Sequence, residues 1–358
     1  MKMMNAQIAR TKESFKPVRL ALVGCGMLVE GTHLPAVFRS PILELGALVD
    51  NQIARADLLK RKYGCRVKIA GVLEDVLADV DGVVIATPNY THVPLARSAV
   101  EHGVPAFVEK PLSTTYSDAK ALCDLAREKR TFVAVGFQGR HFPAVKLMKR
   151  LLTTSFFGQI RSFHFEYGSR GGWAPVSGYN LSREQSGGGV LVGTGSHFLD
   201  RIIYWFGEPE RVEYSDDGYG GVEANCKGRM EYENNVTGTF FFSKTVALKN
   251  CFVLETESYR VEMSLAETTR ITLFPKAMPD TKMSIEEAEA TPADVDYYQV
   301  ELEDFALAIR TGRPPAVDGL EGARSVKLSE NLYACRTELK EPWGWYRTAK
   351  ASLVGSLE

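Results

Sequence analysis

Glu109-Lys110-Pro111 ends an apolar stretch at 105–108 and sets one primary amine at the close of what reads as a β-strand. An amine in that place can hydrogen-bond a substrate oxygen, stabilise negative charge growing on it, or exchange a proton with it. Its reference pKa of about 10.4 must fall, through burial or a neighbouring positive charge, before it acts as a base near neutrality. By itself the tripeptide is a solvated charge in a polar turn. Two other groups of residues change that reading.

The first is Gly24-Cys25-Gly26-Met27-Leu28-Val29, which follows the apolar run VRLALV directly and opens a helical pattern. Gly24 allows a tight turn, Gly26 lets backbone amides approach a pyrophosphate, and the helix N-terminus favours its charge, so the segment reads as a dinucleotide-binding loop. A glycine pair after a strand is also a plain turn. Val29 takes the third position, where glycine or alanine is usual, and implies a wider gap between helix and strand or a local shift of the loop. Asp50 ends the next strand, LELGALVD, where a carboxylate can bind both adenosine ribose hydroxyls and repel a 2′-phosphate. The expected cofactor is therefore NAD, with Asn51 in the same contact. NADP is left open by Arg55, whose guanidinium could accept a phosphate. Taken alone, Asp50 serves equally well as the cap of a helix starting near Ile53.

The second group is Gly193-Thr194-Gly195-Ser196-His197-Phe198-Leu199-Asp200. His197 and Asp200 stand three apart on an expected helix and share one face, turned either into a site or into the core. With a reference pKa of about 6.5, His197 is the better base near neutrality. Oxidation of a secondary alcohol would send the hydroxyl proton to it while Lys110 holds the oxygen or takes the proton itself. A packed or capping histidine is the competing reading.

These residues are positioned by two textures of chain. Over 18–138 apolar strands (VRLALVG, LELGALVD, DGVVIAT, VPAFVEK, TFVAVGF) alternate with amphipathic stretches such as 53–63 and 91–102, the signature of βαβ units on a parallel sheet. After about residue 140 comes one helix, 142–152, then strands with alternating aromatics and valines, IRSFHFEY, TGTFFFSK and NCFVLET, which read as antiparallel. Helices are expected at 297–309 and 320–339, separated by TGRPP. The fold class is α/β: a Rossmann dinucleotide-binding domain at 16–138, then an α+β domain at 139–350 for substrate binding and oligomerisation.

The 358 residues exceed one usual core, which suits two domains. A net charge of -1 gives no attraction for polyanions, so nucleic acid is not an expected partner. No apolar run reaches the roughly 20 residues that span a bilayer, and the polar opening segment lacks a signal-peptide core. A cytoplasmic chain is expected. The six cysteines form no C-x-x-C pair and read as reduced, mostly buried thiols; a metal site is not indicated.

Taken together, GCGMLVEGTHLP, ATPNYTH, VEKP and GGGVLVGTGSHFLD, in this order and spacing, resemble the glucose-fructose oxidoreductase and inositol dehydrogenase family, also called Gfo/Idh/MocA. The resemblance covers roughly 18–339. It implies a Rossmann domain followed by an α+β domain with an open, mostly antiparallel sheet, a site in the cleft between them, and a homodimer or homotetramer packed through that sheet. It implies that Thr87, Pro88 and Asn89 pass beside the nicotinamide ribose, with His92 beginning the next helix. It makes Lys110 the active-site lysine, Glu109 its cofactor-contacting neighbour, Lys110-Pro111 a bond commonly cis, and Gln138 a polar residue near the nicotinamide. The implied activity is NAD(P)-dependent hydride transfer to or from a secondary hydroxyl or ketone of a sugar, sugar derivative or cyclitol.

The family's sugar and inositol dehydrogenases carry D-x-G-x-H-x-x-D, and here Gly193 stands at the first aspartate. Either His197 and Lys110 suffice, or Glu184 or Asp200 supplies the carboxylate, or the protein is not an ordinary dehydrogenase. In the last case it performs redox-neutral chemistry with a held nicotinamide, or binds nicotinamide and sugar as a non-catalytic regulator. Arg140, Arg170, Trp173, Tyr179 and Arg183 flank the motif and, with Thr194, His197 and Asp200, could stack on a sugar ring or bind a phosphate or carboxylate. They read equally well as a partly exposed loop surface.

Overall fold

The apolar runs of the first part of the chain form six parallel strands in the order β3-β2-β1-β4-β5-β6. The computed structural model describes residues 16–171, 178–287 and 295–339. The strands are β1 (Val18–Val23), β2 (Leu43–Val49), β3 (Lys68–Ala70), β4 (Gly82–Ile85), β5 (Ala106–Glu109) and β6 (Val133–Gly136). Between them lie α1 (Leu34–Arg39), α2 (Ile53–Lys62), α3 (His92–Glu101) and α4 (Tyr116–Glu128). Thr115 caps α4, its hydroxyl accepting from the Asp118 amide at 3.2 Å. The strands are continuous in Val, Ile, Leu and Ala because both sheet faces are covered, each by its own buried cluster.

One of those clusters includes residues from far down the chain. Leu302, Phe305 and Ala306 on α8 (Tyr297–Thr311) pack with Leu20, Leu22 and Phe107 of the parallel sheet. Gly82 lets the helix approach, since a Cβ there would come 2.8 Å from Ile309 Cδ1. Contacts accordingly group Met1–Val145 with Glu287–Val326 in one unit and Lys146–Glu286 with Lys327–Glu358 in another. The expected division at 138/139 into two consecutive segments becomes an interleaved one, because the apolar stripe of α8 is spent on the first sheet.

The second unit is built on a nine-stranded sheet, order β14-β13-β12-β11-β7-β10-β9-β8-β15. Its strands are β7 (Ile160–Gly168), β8 (Arg211–Asp216), β9 (Asn225–Glu231), β10 (Thr237–Ser243), β11 (Cys251–Thr256), β12 (Tyr259–Ser264), β13 (Arg270–Pro275), β14 (Met283–Glu286) and β15 (Arg336–Glu338). The remaining helices are α5 (Pro143–Thr153), α6 (Arg183–Ser186), α7 (Ser196–Phe206) and α9 (Gly319–Ala334). Alternation sends Phe163, Phe165, Phe240, Phe242 and Phe252 to one face, where α7 covers them; Phe206 stacks on Phe163 at 4.1 Å. Each fully buried phenylalanine contributes about 1.5–3 kcal/mol.

Two expectations change here. IRSFHFEY and TGTFFFSK pair in parallel, as β7 and β10, within an otherwise mostly antiparallel sheet. The long intervening chain permits the crossover a parallel pair needs. The helix expected over 320–339 stops at Ala334, and residues 336–338 join β8 in parallel. Thr337 donates to the Tyr214 carbonyl at 3.0 Å and Arg336 Nε to Asp216 at 2.8 Å, contacts a further helical turn would forfeit. All six cysteines are free thiols, although only Cys25 and Cys226 are fully buried. Among the described residues no helix is long and apolar enough to cross a membrane.

Candidate cofactor and active site

All six parallel strands end along one edge, and the residues expected to meet the cofactor lie in the loops leaving it. Gly24 and Gly26 follow β1, Asp50 follows β2, Thr87 to Asn89 follow β4, Lys110 follows β5 and Gln138 follows β6. β1 lies between β2 and β4, where the winding direction reverses, the place at which open α/β sheets form a binding crevice.

Gly24 has φ +93°, and a Cβ there would sit 2.6 Å from the Ala86 carbonyl oxygen, so no other residue fits. A Cβ at Gly26 would meet no heavy atom within 4 Å. This open backbone at the head of a helix suits the pyrophosphate of a dinucleotide. Met27 is exposed and Leu28 half-buried beside it. Val29 is fully buried, and the helix is widened by a π-type turn over Val29–His33, beginning at the position where the third glycine is missing.

Asp50 is buried and both its oxygens are engaged: Oδ2 accepts from the Cys25 amide and Oδ1 from the Gln52 amide, each at 2.8 Å. It therefore ties the glycine loop to the β2–α2 turn and is not the cap of α2, whose preceding residue is Gln52. A carboxylate has about four acceptor sites, so two remain for ribose hydroxyls. Burial, and then Asp50, push the Cys25 thiol up to about 12, while Arg55 acts in the opposite sense. Asn51 is exposed and Arg55 half-buried.

The Lys110 turn is fixed from below. Lys110-Pro111 is cis, and Lys110 is half-buried. Glu109, 5% exposed, takes a hydrogen bond from the Lys110 amide at 3.2 Å on Oε2 and lies 2.8 Å from His33 Nε2 on Oε1. Burial by itself would raise its pKa, but His33 and Lys110 outweigh burial and leave the carboxyl below its usual range. His92 at the start of α3 places Nδ1 2.8 Å from the Pro111 oxygen and Nε2 2.8 Å from the Thr87 oxygen. Burial holds its pKa down against the pull of both carbonyls. A neutral ring donates to only one of them. Thr87 also accepts from the Thr91 hydroxyl at 2.7 Å; Asn89 is buried and Gln138 half-buried.

In the second unit, Glu223 organises the segment that carries His197. Its Oε1 accepts from the Gly189 amide at 3.0 Å, the Leu191 amide at 2.9 Å and the Tyr333 hydroxyl at 2.9 Å. Burial pushes its pKa up, partly offset by these bonds. Gly188 and Gly189 leave no room for side chains; a Cβ would come 2.0 Å from Tyr333 Oη and from the Glu223 oxygen respectively. Thr194 is half-buried in a π-type turn at Leu191–Gly195, and α7 after it carries half-buried His197, with Asp200 buried beside Arg201. Gly193 is exposed, and among the described residues a Cβ there would have nothing within 4 Å, so the backbone leaves room for a Cβ where the family carries aspartate.

The residues expected at the substrate are spread more widely. Tyr179 is half-buried in a short turn, Glu184 and Arg170 are exposed, and Arg183 lies 4.3 Å over the Tyr333 ring. Arg140 is buried and pairs with Glu321 at 3.4 Å, which makes it part of the packing of the first unit. Trp173 lies outside the described residues.

Four residues without an expected role prove central to these arrangements: His33, Glu301, Glu223 and Tyr333. His33 and Glu301 could have been suspected, since both are polar residues at positions whose helical spacing is otherwise apolar. His33, Glu109 and Glu301 bring one potential ligand atom each within 4.8 Å of one another, a grouping that cysteine spacing did not hint at.

Residues 18–137 match the family model described as an oxidoreductase family with an NAD-binding Rossmann fold, and residues 145–265 match the GFO/IDH/MocA C-terminal domain. D-glucoside 3-dehydrogenase of Escherichia coli K12 is 30% identical over 198 residues, covering 54% of this chain and 55% of that protein. The chain thus matches about half the length of the first curated relatives. Among solved structures, aldose-aldose oxidoreductase of Caulobacter crescentus in complex with glycerol superposes with a TM-score of 0.79 at 21% identity, over 89% of this chain and 97% of that one. Levoglucosan dehydrogenase in complex with NADH and levoglucosan gives 0.78 at 18% identity, over 89% and 97%. At these identities the likeness is one of fold.

Proposed function

The chain belongs to the Gfo/Idh/MocA family of oxidoreductases with an NAD-binding Rossmann fold, and from that premise we propose that it transfers a hydride between a nicotinamide cofactor and a secondary hydroxyl or ketone of a sugar, sugar derivative or cyclitol. The observation that carries this reading is one sheet edge holding both a glycine loop open at Gly26 and an amine, Lys110, on a turn pinned by Glu109 and His92. Relatives named for glucosides and for levoglucosan support the sugar class.

In this reading the Gly26 amide region and the helix start hold the pyrophosphate, Asp50 the ribose, and Thr87 to Asn89 with Gln138 the nicotinamide end. The cofactor, when bound, supplies the hydride acceptor or donor. Lys110 hydrogen-bonds the substrate oxygen and stabilises charge on it as the C–H bond breaks. His197 takes the hydroxyl proton on a ring nitrogen, and returns it in the reverse direction. Asp50 at the end of β2 favours NAD over NADP, with half-buried Arg55 as the nearby guanidinium that could accept a phosphate. Assembly as a homodimer or homotetramer through the face of the nine-stranded sheet opposite α7 is supported by its half-exposed, partly charged side chains, such as His164, Glu166 and Arg229. A cytoplasmic setting is supported by six free thiols.

A panel of sugars, sugar derivatives and cyclitols with NAD and with NADP, read at the nicotinamide absorbance, tests the reading. Turnover abolished by both Lys110→Ala and His197→Ala is expected. Substrate conversion without net cofactor reduction would move the assignment to redox-neutral chemistry, and no conversion of any member would sink it.

A further inference from the structure

His33, Glu109 and Glu301 lie together inside the first unit, 0%, 5% and 3% exposed, with ligand atoms within 4.8 Å of one another. Two carboxyls this close and this dry do not both ionise, because the second charge is opposed by desolvation and by the first. Their partners decide which one carries the charge. Glu109 has His33 Nε2 at 2.8 Å and the Lys110 amide at 3.2 Å. Among the described residues, neither oxygen of Glu301 has a hydrogen-bond partner, and His33 Nδ1 is likewise unpartnered.

The surrounding charges act in the same sense. Asp296 and Asp304 repel an anion on Glu301, as Glu109 does, while Lys110 favours one on Glu109. Tyr298, whose ring meets His33 edge-on at 5.7 Å, is held neutral by burial, with Glu109 adding to the effect. His92 lies within the field of both Glu109 and Lys110.

We propose that Glu301 is a neutral acid that stores one proton beside the ionised Glu109, and that in doing so it is a positioning residue for the Lys110 turn. The pair then carries a single buried negative charge beneath Lys110. Ionising Glu301 would set a second charge against Glu109 and disturb the bond from Glu109 to the Lys110 amide. The positioning half of this proposal rests on the reading of Lys110 given above; the proton itself does not.

The full-length protein and its Glu301→Gln and Glu301→Ala variants decide the matter. Infrared difference spectra at about pH 8, where a free carboxyl is ionised, are expected to contain the carbonyl band of an un-ionised acid that Glu301→Gln lacks. A carboxyl whose folded pKa is raised stabilises the fold below its unfolded value and loses that contribution as pH climbs. The melting temperature of Glu301→Gln is therefore expected to gain on the natural protein from about pH 5 to about pH 8. In turnover, Glu301→Ala should lose about tenfold in kcat/KM and alter its pH profile, and Glu301→Gln should restore both to within about twofold.

Absence of the band overturns the proposal. So does a stoichiometric divalent metal in protein purified without chelator that Glu301→Gln loses. A band present while Lys110→Ala leaves turnover intact overturns the positioning half and the Lys110 reading together, leaving the proton on Glu301. A band absent while Lys110→Ala is inactive overturns this proposal and leaves the Lys110 reading standing.

Discussion

His92 Nδ1 lies 2.8 Å from the Pro111 carbonyl oxygen, and the same ring reaches the Thr87 oxygen from Nε2. One buried side chain thus joins the loop after β4 to the turn that carries Lys110. Burial holds its pKa below the ordinary value. The folded state then binds fewer protons than the unfolded one, so this contribution is present above about pH 6.5 and is lost as pH falls through the depressed folded value. Replacing His92 by Asn should remove that acid-side slope while costing about 1–3 kcal/mol for a carbonyl left unpaired. Chemical denaturation across pH measures both. Identical slopes in the two proteins would refute it, and Glu109, whose pKa is also lowered, separates by acting only below about pH 4.5.

Asp50 has a double task, and its variants should show two effects. Asp50→Ala strips a partner from the Cys25 and Gln52 amides, at about 1–3 kcal/mol for the buried Cys25 donor and less for the part-buried Gln52 one. It also removes the charge that disfavours a 2′-phosphate. Equilibrium titration should find NAD binding weakened about tenfold or more, with the preference over NADP reduced. If stability falls and the ratio of the two affinities stays fixed, Asp50 is a loop tie only.

How much of this was visible beforehand depends on the distance over which each residue acts. The parallel sheet, the glycine loop and the edge bearing Asp50, Thr87, Lys110 and Gln138 follow from local patterns: apolar runs, a glycine pair after a strand, a residue at each strand's end. Asp50's engagement by Cys25 was not legible, because one carboxylate suits a helix cap, a ribose or a loop tie equally. Nor was the return of α8 to the first sheet, since Leu302 and Phe305 declare an apolar stripe without saying which sheet it covers. The parallel pairing of β7 with β10 failed for the same reason: alternation fixes the face of a strand and leaves its neighbour open. Glu223 and Tyr333 are 110 residues apart and meet only in three dimensions.

Glu223 supports the His197 segment through three donors, so its loss should be felt in both stability and turnover. Glu223→Ala leaves the Gly189 and Leu191 amides unsatisfied and a void beneath Tyr333, a combination expected to cost about 2–4 kcal/mol. Because those amides precede the turn into α7, kcat should fall even at temperatures where the variant is fully folded. Denaturation midpoints and kcat measured side by side distinguish the cases. A destabilised variant with natural kcat would confine Glu223 to structure.

Gly193 offers the most direct test of the active-site reading, because among the described residues a Cβ at this position of the family aspartate meets nothing within 4 Å. The backbone at 193 is helical in class and its Cβ direction is open, so Gly193→Asp should fold and gain up to about 1 kcal/mol from a less flexible unfolded chain. Positions 193 and 197 are four apart on consecutive helical turns and share a face, which brings the new carboxylate toward His197. A negative charge there favours the imidazolium. The limb of the kcat/KM profile governed by His197 should therefore move to higher pH, and sugar oxidation should rise about tenfold on its alkaline side. Both changes require His197 to be the proton acceptor. A stable Gly193→Asp protein with an unmoved profile would show that the proton leaves by another route, with Lys110 the first base to test in its place.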